Sequence, residues 1–249
     1  MKTHLISFGN WHYYKSLNIL QETSLTRGNV DSVTCFKEPD IPVQFYEQHQ
    51  KHFSAGRGFG FWVWKSFFIQ KCIEEKDNDT IFIYVDAGNQ VLEDLTPLFE
   101  MCKADPKGLI LFDNSDGSPD GKIWKNNMWT KSDCFNMLGL NTEQYINGNQ
   151  VNASYIVFRK TDFTTKFFKC FSQACSNYNI ISDAPNITQD FNKAFIDHRH
   201  DQSILSLLSI RYNISICRDP SQWGQPRQHT HNTNDYNQLF DHHRRRYYI

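Results

Sequence analysis

The sequence lacks any long apolar run. Its longest, such as residues 81–85, hold about five residues, where a membrane-crossing helix needs roughly 20. It also lacks an excess of either charge. Lys+Arg is 26 against 27 for Asp+Glu, which argues against a basic coat for nucleic acid. The seven cysteines lie at 35, 72, 102, 134, 170, 175 and 217 without a C-x-x-C pair, so we expect reduced thiols and no structural zinc site. Residues 1–10 hold too short an apolar stretch for a signal peptide, and a cytoplasmic location is the expectation. There is no G-x-S-x-G nucleophile elbow, no Gly-Lys-Ser/Thr phosphate loop, and no G-x-G-x-x-G after the first strand.

What is present suits a folded enzyme-sized unit. At 249 residues, folding hides roughly 70–75% of the unfolded surface, so no covalent staple is required. The chain is 39% hydrophobic and 21% charged, outside the range of disordered proteins. Aromatic residues reach 15%, with 20 Phe, 11 Tyr and 6 Trp, enough for a core and for rings that stack on sugars or bases.

Short apolar runs predict strands over 4–8, 30–36, 80–85, 108–112, 151–158 and 214–217. Helical spacing predicts helices over 11–25, 43–53, 61–75, 95–103, 131–138, 162–176 and 201–212. The alternation predicts an α/β class: a mainly parallel central sheet flanked by helices. No repeat or linker divides it, so one domain over 1–249 is the expectation.

Four constellations carry chemistry. Asp86 follows the most apolar strand, at the edge where open α/β sheets bind ligands, and a carboxylate there suits a divalent cation on a diphosphate. Its bland alternative is a turn aspartate before glycine. Arg57, within the glycine-rich stretch 56–60, and Lys65, just after it, suit phosphate neutralisation; the alternative is an amphipathic helix with a solvated lysine. In His198-Arg199-His200-Asp201-Gln202-Ser203 a carboxylate and an amide enter a helix together, suited to sugar hydroxyls, unless Asp201 is only a cap. The end of the chain gathers His242, His243, Arg244, Arg245 and Arg246, with His229 and His231 upstream; it suits a metal or phosphate, or is a solvated basic tail. Asp113 ends another strand and is a weaker candidate.

Taken in order, Gly58-Phe59-Gly60-Phe61-Trp62-Val63-Trp64-Lys65, Tyr84-Val85-Asp86-Ala87-Gly88, His198-Arg199-His200-Asp201-Gln202-Ser203 and His242-His243-Arg244 resemble nucleotide-sugar glycosyltransferases of the GT-A fold, in particular capsule and surface-polysaccharide enzymes of bacteria and large viruses. The layout is also similar to the glycogenin-like retaining transferases. Lys65 and Asp86 match their lysine and first Asp-x-Asp carboxylate, Asn152-Ala153-Ser154 is similar to their Asn-Ala/Ser-Gly phrase, and Asp201-Gln202 matches the start of Asp-Gln-Asp.

The resemblance implies a single Rossmann-like GT-A domain. Residues of about 1–90 would bind the nucleotide, and about 91–249 the acceptor. It implies transfer of a sugar, with UDP the favoured carrier, to a glycan hydroxyl in surface-polysaccharide or glycoprotein-glycan synthesis. Retention is slightly favoured over inversion. Asp201 and Gln202 would be catalytic. Phe8, Gly9 and Asn10 would lie near base and ribose, and Arg57, Lys65, Asp86, Ala87, Gly88, Asn152, His200 and Arg244 near the donor. A Mn²⁺ or Mg²⁺ ion would sit on Asp86 and one of His229, His242 or His243. However, Asp-Ala-Gly stands where the family has Asp-x-Asp, with Asn89 as a weak substitute, and this leaves cation neutralisation as the other route. The basic and aromatic end suits peripheral contact with a membrane surface. Two other classes fit the residues: a metal-dependent phosphoesterase or nuclease on Asp86, His198, His200 and His242/His243, and a glycan-binding module without turnover.

Overall fold

The computed structural model describes residues 2–78, 80–114, 123–227 and 236–246. Six strands form the main sheet: β1 (Lys2–Phe8), β2 (Ser32–Phe36), β3 (Thr80–Val85), β5 (Leu109–Phe112), β6 (Tyr155–Arg159) and β7 (Ser215–Cys217). Between them in sequence lies β4 (Gln90–Val91), which pairs with β8 (Phe240–Asp241) in a separate two-stranded ribbon. The order across the main sheet is β2-β1-β3-β6-β5-β7. β1 runs parallel to β2 and β3, and β5 parallel to β7, while β6 runs against both of its neighbours. The expected mainly parallel sheet is therefore present, with one reversed strand.

Alternation along β3 explains the two layers. Ile81, Ile83 and Val85 join one buried cluster, and Phe82 and Tyr84 join the other. Helices α1 (Tyr14–Thr26) and α3 (Thr96–Ala104) cover the first face through Leu20, Leu98 and Phe99. Helices α2 (Val63–Glu75), α4 (Asp162–Ser176) and α5 (Asp201–Arg211) cover the second. Apolar residues at i, i+4 spacing, such as Trp64, Phe68 and Cys72 in α2, make that face. α4 begins with reciprocal capping: Thr161 Oγ1 accepts from Thr164 N at 3.1 Å, and Thr164 Oγ1 accepts from Thr161 N at 2.9 Å.

The helix predicted over 43–53 divides into Val43–Gln48 and Gln50–Phe53 at His49. The strand predicted from 151 begins at Tyr155, because Asn152 and Ser154 direct their side chains into polar partners. The cysteines are free. Among the described residues no helix is long and apolar enough to cross a membrane.

The reversal of β6 positions the site. It brings the start of that strand to the edge where β1, β3, β5 and β7 end, so Asp86 N donates to Ser154 O at 3.0 Å. Asp113 and Asp219 reach the same edge, where Asp113 Oδ1 accepts from Asp219 N at 3.3 Å.

Candidate functional site

Lys65 is the centre of the site. It projects from the first turn of α2, is 1% exposed, and meets three acceptors. Its Nζ lies 2.6 Å from Asp201 Oδ2, 3.0 Å from Ala153 O and 3.2 Å from Asp86 Oδ1. Burial alone would lower its pKa, but the two carboxylates outweigh that and hold it above the ordinary lysine value. The expected solvated or phosphate-facing lysine is thus replaced by a buried bridge between two carboxylates.

Asp86 is held from both sides. Tyr84 donates its hydroxyl to Oδ1 at 2.8 Å, and Ser154 Oγ donates to Oδ2 at 3.0 Å. Burial pushes this carboxyl up, but Lys65, the Tyr84 hydroxyl, His242 and Ser154 together bring it below its usual range. Asp201 lacks such support. Burial raises it to about 6 against the opposing pull of Lys65. Asp201 is the first residue of α5, and the cap position is His200, so the plain-cap alternative does not hold. His200 has φ 55° and ψ −120°, a conformation rare outside glycine, and such strain gathers at functional sites.

An unusual turn supports that corner. Gly58, Phe59, Gly60, Phe61 and Trp62 all have positive φ, winding a left-handed turn into α2. Gly58 is required there, since a Cβ would lie 2.2 Å from the Trp62 ring. The turn sets Phe61 and Trp62 under His200, with ring centroids 5.0 and 5.4 Å away. Arg57, just before it, grips Asp197 through two bonds of 2.9 and 2.6 Å and also reaches Asp183 at 3.3 Å. Arg57 and the glycine-rich stretch therefore tie elements together, and the arginine expected to neutralise phosphate is spent on carboxylates.

Several other expectations change. The Phe8 side chain is in the core, its ring 4.0 Å from that of Trp64, not beside a base. Gly9 packs on Tyr13 and Leu17. Asn10 keeps a buried Oδ1 with no hydrogen-bond partner, a ready acceptor at the end of β1. Asn152 is buried, donates to Asp219 Oδ2 at 2.7 Å and accepts from Ser154 N at 2.9 Å, so it shapes the edge without facing a donor. His200 is buried too, with Nδ1 2.8 Å from Ile181 O. His198 is likewise buried, on Ile180 O at 2.9 Å, so neither histidine faces the cleft as a metal ligand. Asn89 is fully buried between Tyr155 OH and Asp86 O and cannot stand in for a second carboxylate. Ala87 is buried beside them.

The end of the chain folds over this edge. β8 pairs with β4, Arg244 N donates to Gly88 O at 2.9 Å, and Ser16 Oγ donates to Arg245 O at 2.9 Å. Of the terminal cluster, His242 is buried against the solvated-tail alternative, while the Arg244, Arg245 and Arg246 side chains are exposed as that alternative has them. His242 is buried; burial, then Arg244, outweigh the opposing pull of Asp86 and depress it to about 3, so it is neutral. His243 points elsewhere, accepting from Arg245 N at 2.9 Å. His229 and His231 lie outside the described residues.

A divalent cation does not fit this donor set well. Asp86 is its one carboxylate, with both oxygens engaged, and His242 Nε2 already accepts from Arg244 Nε at 3.2 Å. Among the described residues no three His, Cys, Asp or Glu side chains converge on a metal position.

The sequence did not reveal the wall beside Asp201. Gln202 Nε2 donates to Gln150 Oε1 at 2.8 Å, and Gln150 is itself fixed by Asn126 at 3.1 Å and Thr130 at 3.0 Å. This orients the Gln202 amide so that its oxygen is the end left for a ligand. Trp124 and Trp129 stack 4.4 Å apart, and the Arg199 guanidinium lies over both. Their residue types were a signal, but the 70-residue separation hid the contact.

No protein-family model matches the chain, and no curated protein is similar to it in sequence. Solved structures are. The bifunctional glycosyltransferase WbbM superposes with a TM-score of 0.52 at 12% identity, over 88% of this chain and 39% of WbbM. The glycosyltransferase GlyE of Streptococcus pneumoniae TIGR4 gives 0.42 at 17% identity, over 88% of this chain and 46% of GlyE. Mouse xyloside xylosyltransferase 1 gives 0.47 at 10% identity, over 87% of this chain and 84% of that one. The chain thus spans less than half the length of WbbM and GlyE. At such identity the likeness to WbbM is one of fold: the chain shares its α/β architecture, as the sequence resemblance implied.

Proposed function

We propose that the chain transfers a sugar from a nucleoside-diphosphate sugar, with UDP as carrier, to a hydroxyl of a glycan acceptor. One observation carries the reading: a buried Lys65 bridges Asp86 and Asp201 at the ligand-binding edge of a glycosyltransferase fold. The nucleotide lies over the ends of β1 and β3, where Asn10 offers its unpartnered oxygen. The donor sugar lies between Asp201 and Gln202. Transfer proceeds with retention. The C1–O bond to the β-phosphate breaks with its electron pair staying on the phosphate oxygen. The acceptor oxygen bonds to C1 from the same face, and its proton passes to the departing phosphate. Asp201 orients the sugar through its hydroxyls, and the fixed Gln202 oxygen faces the developing positive charge at C1. The pathway is the synthesis of surface polysaccharide or glycoprotein glycan, with the enzyme at the cytoplasmic surface of a membrane.

Incubation with UDP-, GDP-, CMP- and dTDP-sugars and a panel of glycans, read by mass spectrometry, tests this. One donor should lose its sugar to one acceptor, with the anomeric configuration kept in the product's proton NMR spectrum. Phosphodiester cleavage without a sugar product would support the phosphoesterase reading instead. That reading needs a metal cluster, and none gathers among the described residues.

A further inference from the structure

The departing diphosphate carries charge that the cleft must neutralise, and Lys65 is already spent on two carboxylates. We propose that a guanidinium takes the place of the divalent cation: Arg244, with Arg199 on the Asp201 wall as a second cation, holds the diphosphate without a metal. This rests on the transferase reading above.

The first support is steric. Residue 88, where the second carboxylate of Asp-x-Asp would stand, is glycine, and the returning C-terminal segment lies against it. A Cβ there would sit 3.0 Å from Arg244 Cα and 3.4 Å from Arg244 N. An aspartate there would press on the Arg244 backbone, which would have to give by a few tenths of an ångström while its N donates to Gly88 O at 2.9 Å. Glycine at 88 and the close approach of the Arg244 backbone therefore go together in packing.

The second support is how Arg244 is presented. Its φ is 55°, left-handed for a residue with a Cβ, and its side chain is exposed. Its Nε donates to His242 Nε2 at 3.2 Å, which occupies that ring nitrogen and aims the fork. The Trp223 ring lies 5.9 Å from its guanidinium carbon. Among the described residues no carboxylate lies within 4.0 Å of it.

The third support is Arg199. It lies over Trp129 at 4.4 Å and Trp124 at 5.0 Å, and its buried Nε has no hydrogen-bond partner. Its carboxylate neighbour Asp197, at 3.6 Å, is already clamped by Arg57. Burial first, and then the charges of Arg57 and Arg244, lower its pKa. An anion reaching Arg199 would give that unpartnered Nε–H an acceptor. A planar fork suits a diphosphate, whose oxygens accept two parallel bonds.

Calorimetry of UDP, GDP, CDP and dTDP, and of their monophosphates, in EDTA and in Mn²⁺ tests this on the wild type, Arg244→Ala and Arg244→Gln. One diphosphate should bind with the same affinity in EDTA and in Mn²⁺. Both variants should weaken it about 10–100-fold, as expected for a charge-assisted pair, and change the monophosphate less than about three-fold. A thermal melt like that of the wild type shows that each variant is folded. Binding that requires Mn²⁺, or that is unchanged in both variants, overturns the guanidinium proposal and leaves the transferase reading intact. No binding of any nucleotide in either condition overturns both.

Discussion

At the floor of the cleft Lys65 is 1% exposed and lies between two carboxylates; at the rim Arg244 is exposed, and its nearest assigned side-chain partner is a neutral histidine. Both are cations on the same sheet edge, yet they do different work. A buried ammonium must be neutralised where it stands, because water cannot solvate it. An exposed guanidinium keeps its charge for a ligand. The floor therefore sets geometry, and the rim supplies charge to the substrate. Arg57 belongs with the floor in this respect, though it is about one-third exposed, because Asp197 and Asp183 occupy it.

Acid should have the largest effect, on the buried groups throughout the fold. His4, His52 and His200 are depressed to about 4 and His242 to about 3, each chiefly by burial. Their unfolded value is about 6.5. A group depressed in the folded state stabilises above its unfolded pKa and loses that contribution as pH falls toward its folded one. Asp201 has the opposite sign. It is raised to about 6, so its contribution is present below about pH 4 and lost as pH rises through 6. Four histidines outweigh one carboxyl, and the melting temperature should fall by more than about 10 °C between about pH 7.5 and pH 5. A flat profile over that range would show these rings to be solvated. Transfer should also decline below about pH 6 as Asp201 takes up a proton.

Next in size, Lys65→Met should cost about 3–5 kcal/mol, because it leaves Asp86 and Asp201 facing each other without a cation. Urea unfolding measures it; a loss below about 1 kcal/mol would mean the bridge is wet. Asp201→Asn is the sharper functional probe. It keeps the shape and should lower the transfer rate about 10³-fold while changing nucleotide affinity less than about three-fold. Equal losses of rate and affinity would move Asp201 from the sugar to the nucleotide. The smallest effect is expected for Arg57→Ala: about 1 kcal/mol in stability, with nucleotide affinity unchanged by calorimetry. A large affinity loss would return Arg57 to the rim.

Much of the fold is legible in the sequence. The strand over 80–85 and the helix over 162–176 were read to the residue, since one is an unbroken apolar run and the other has its apolar residues on one helical face. β8 was not legible: two residues form it, and their partners are about 150 positions away. In the site, Asp86, Lys65 and Asp201 were marked by their places at element ends. Tyr84, Ser154 and Arg199 stood in the quoted phrases without a role, and the Trp124–Trp129 pair was not singled out, because each acts across a contact between elements distant in sequence or, for Tyr84, as an ordinary residue inside a strand.

By itself the sequence determined the elements and which of them end in carboxylates, amides and cations, because backbone periodicity and turn chemistry are local. The tertiary structure alone decided the direction of β6 and the partner of every charge. Lys65 and Arg57 look alike in sequence as basic residues beside a glycine-rich stretch, and Arg244 is one of three arginines in a row. Burial and pairing separate them, and both depend on which distant segments pack against each side chain.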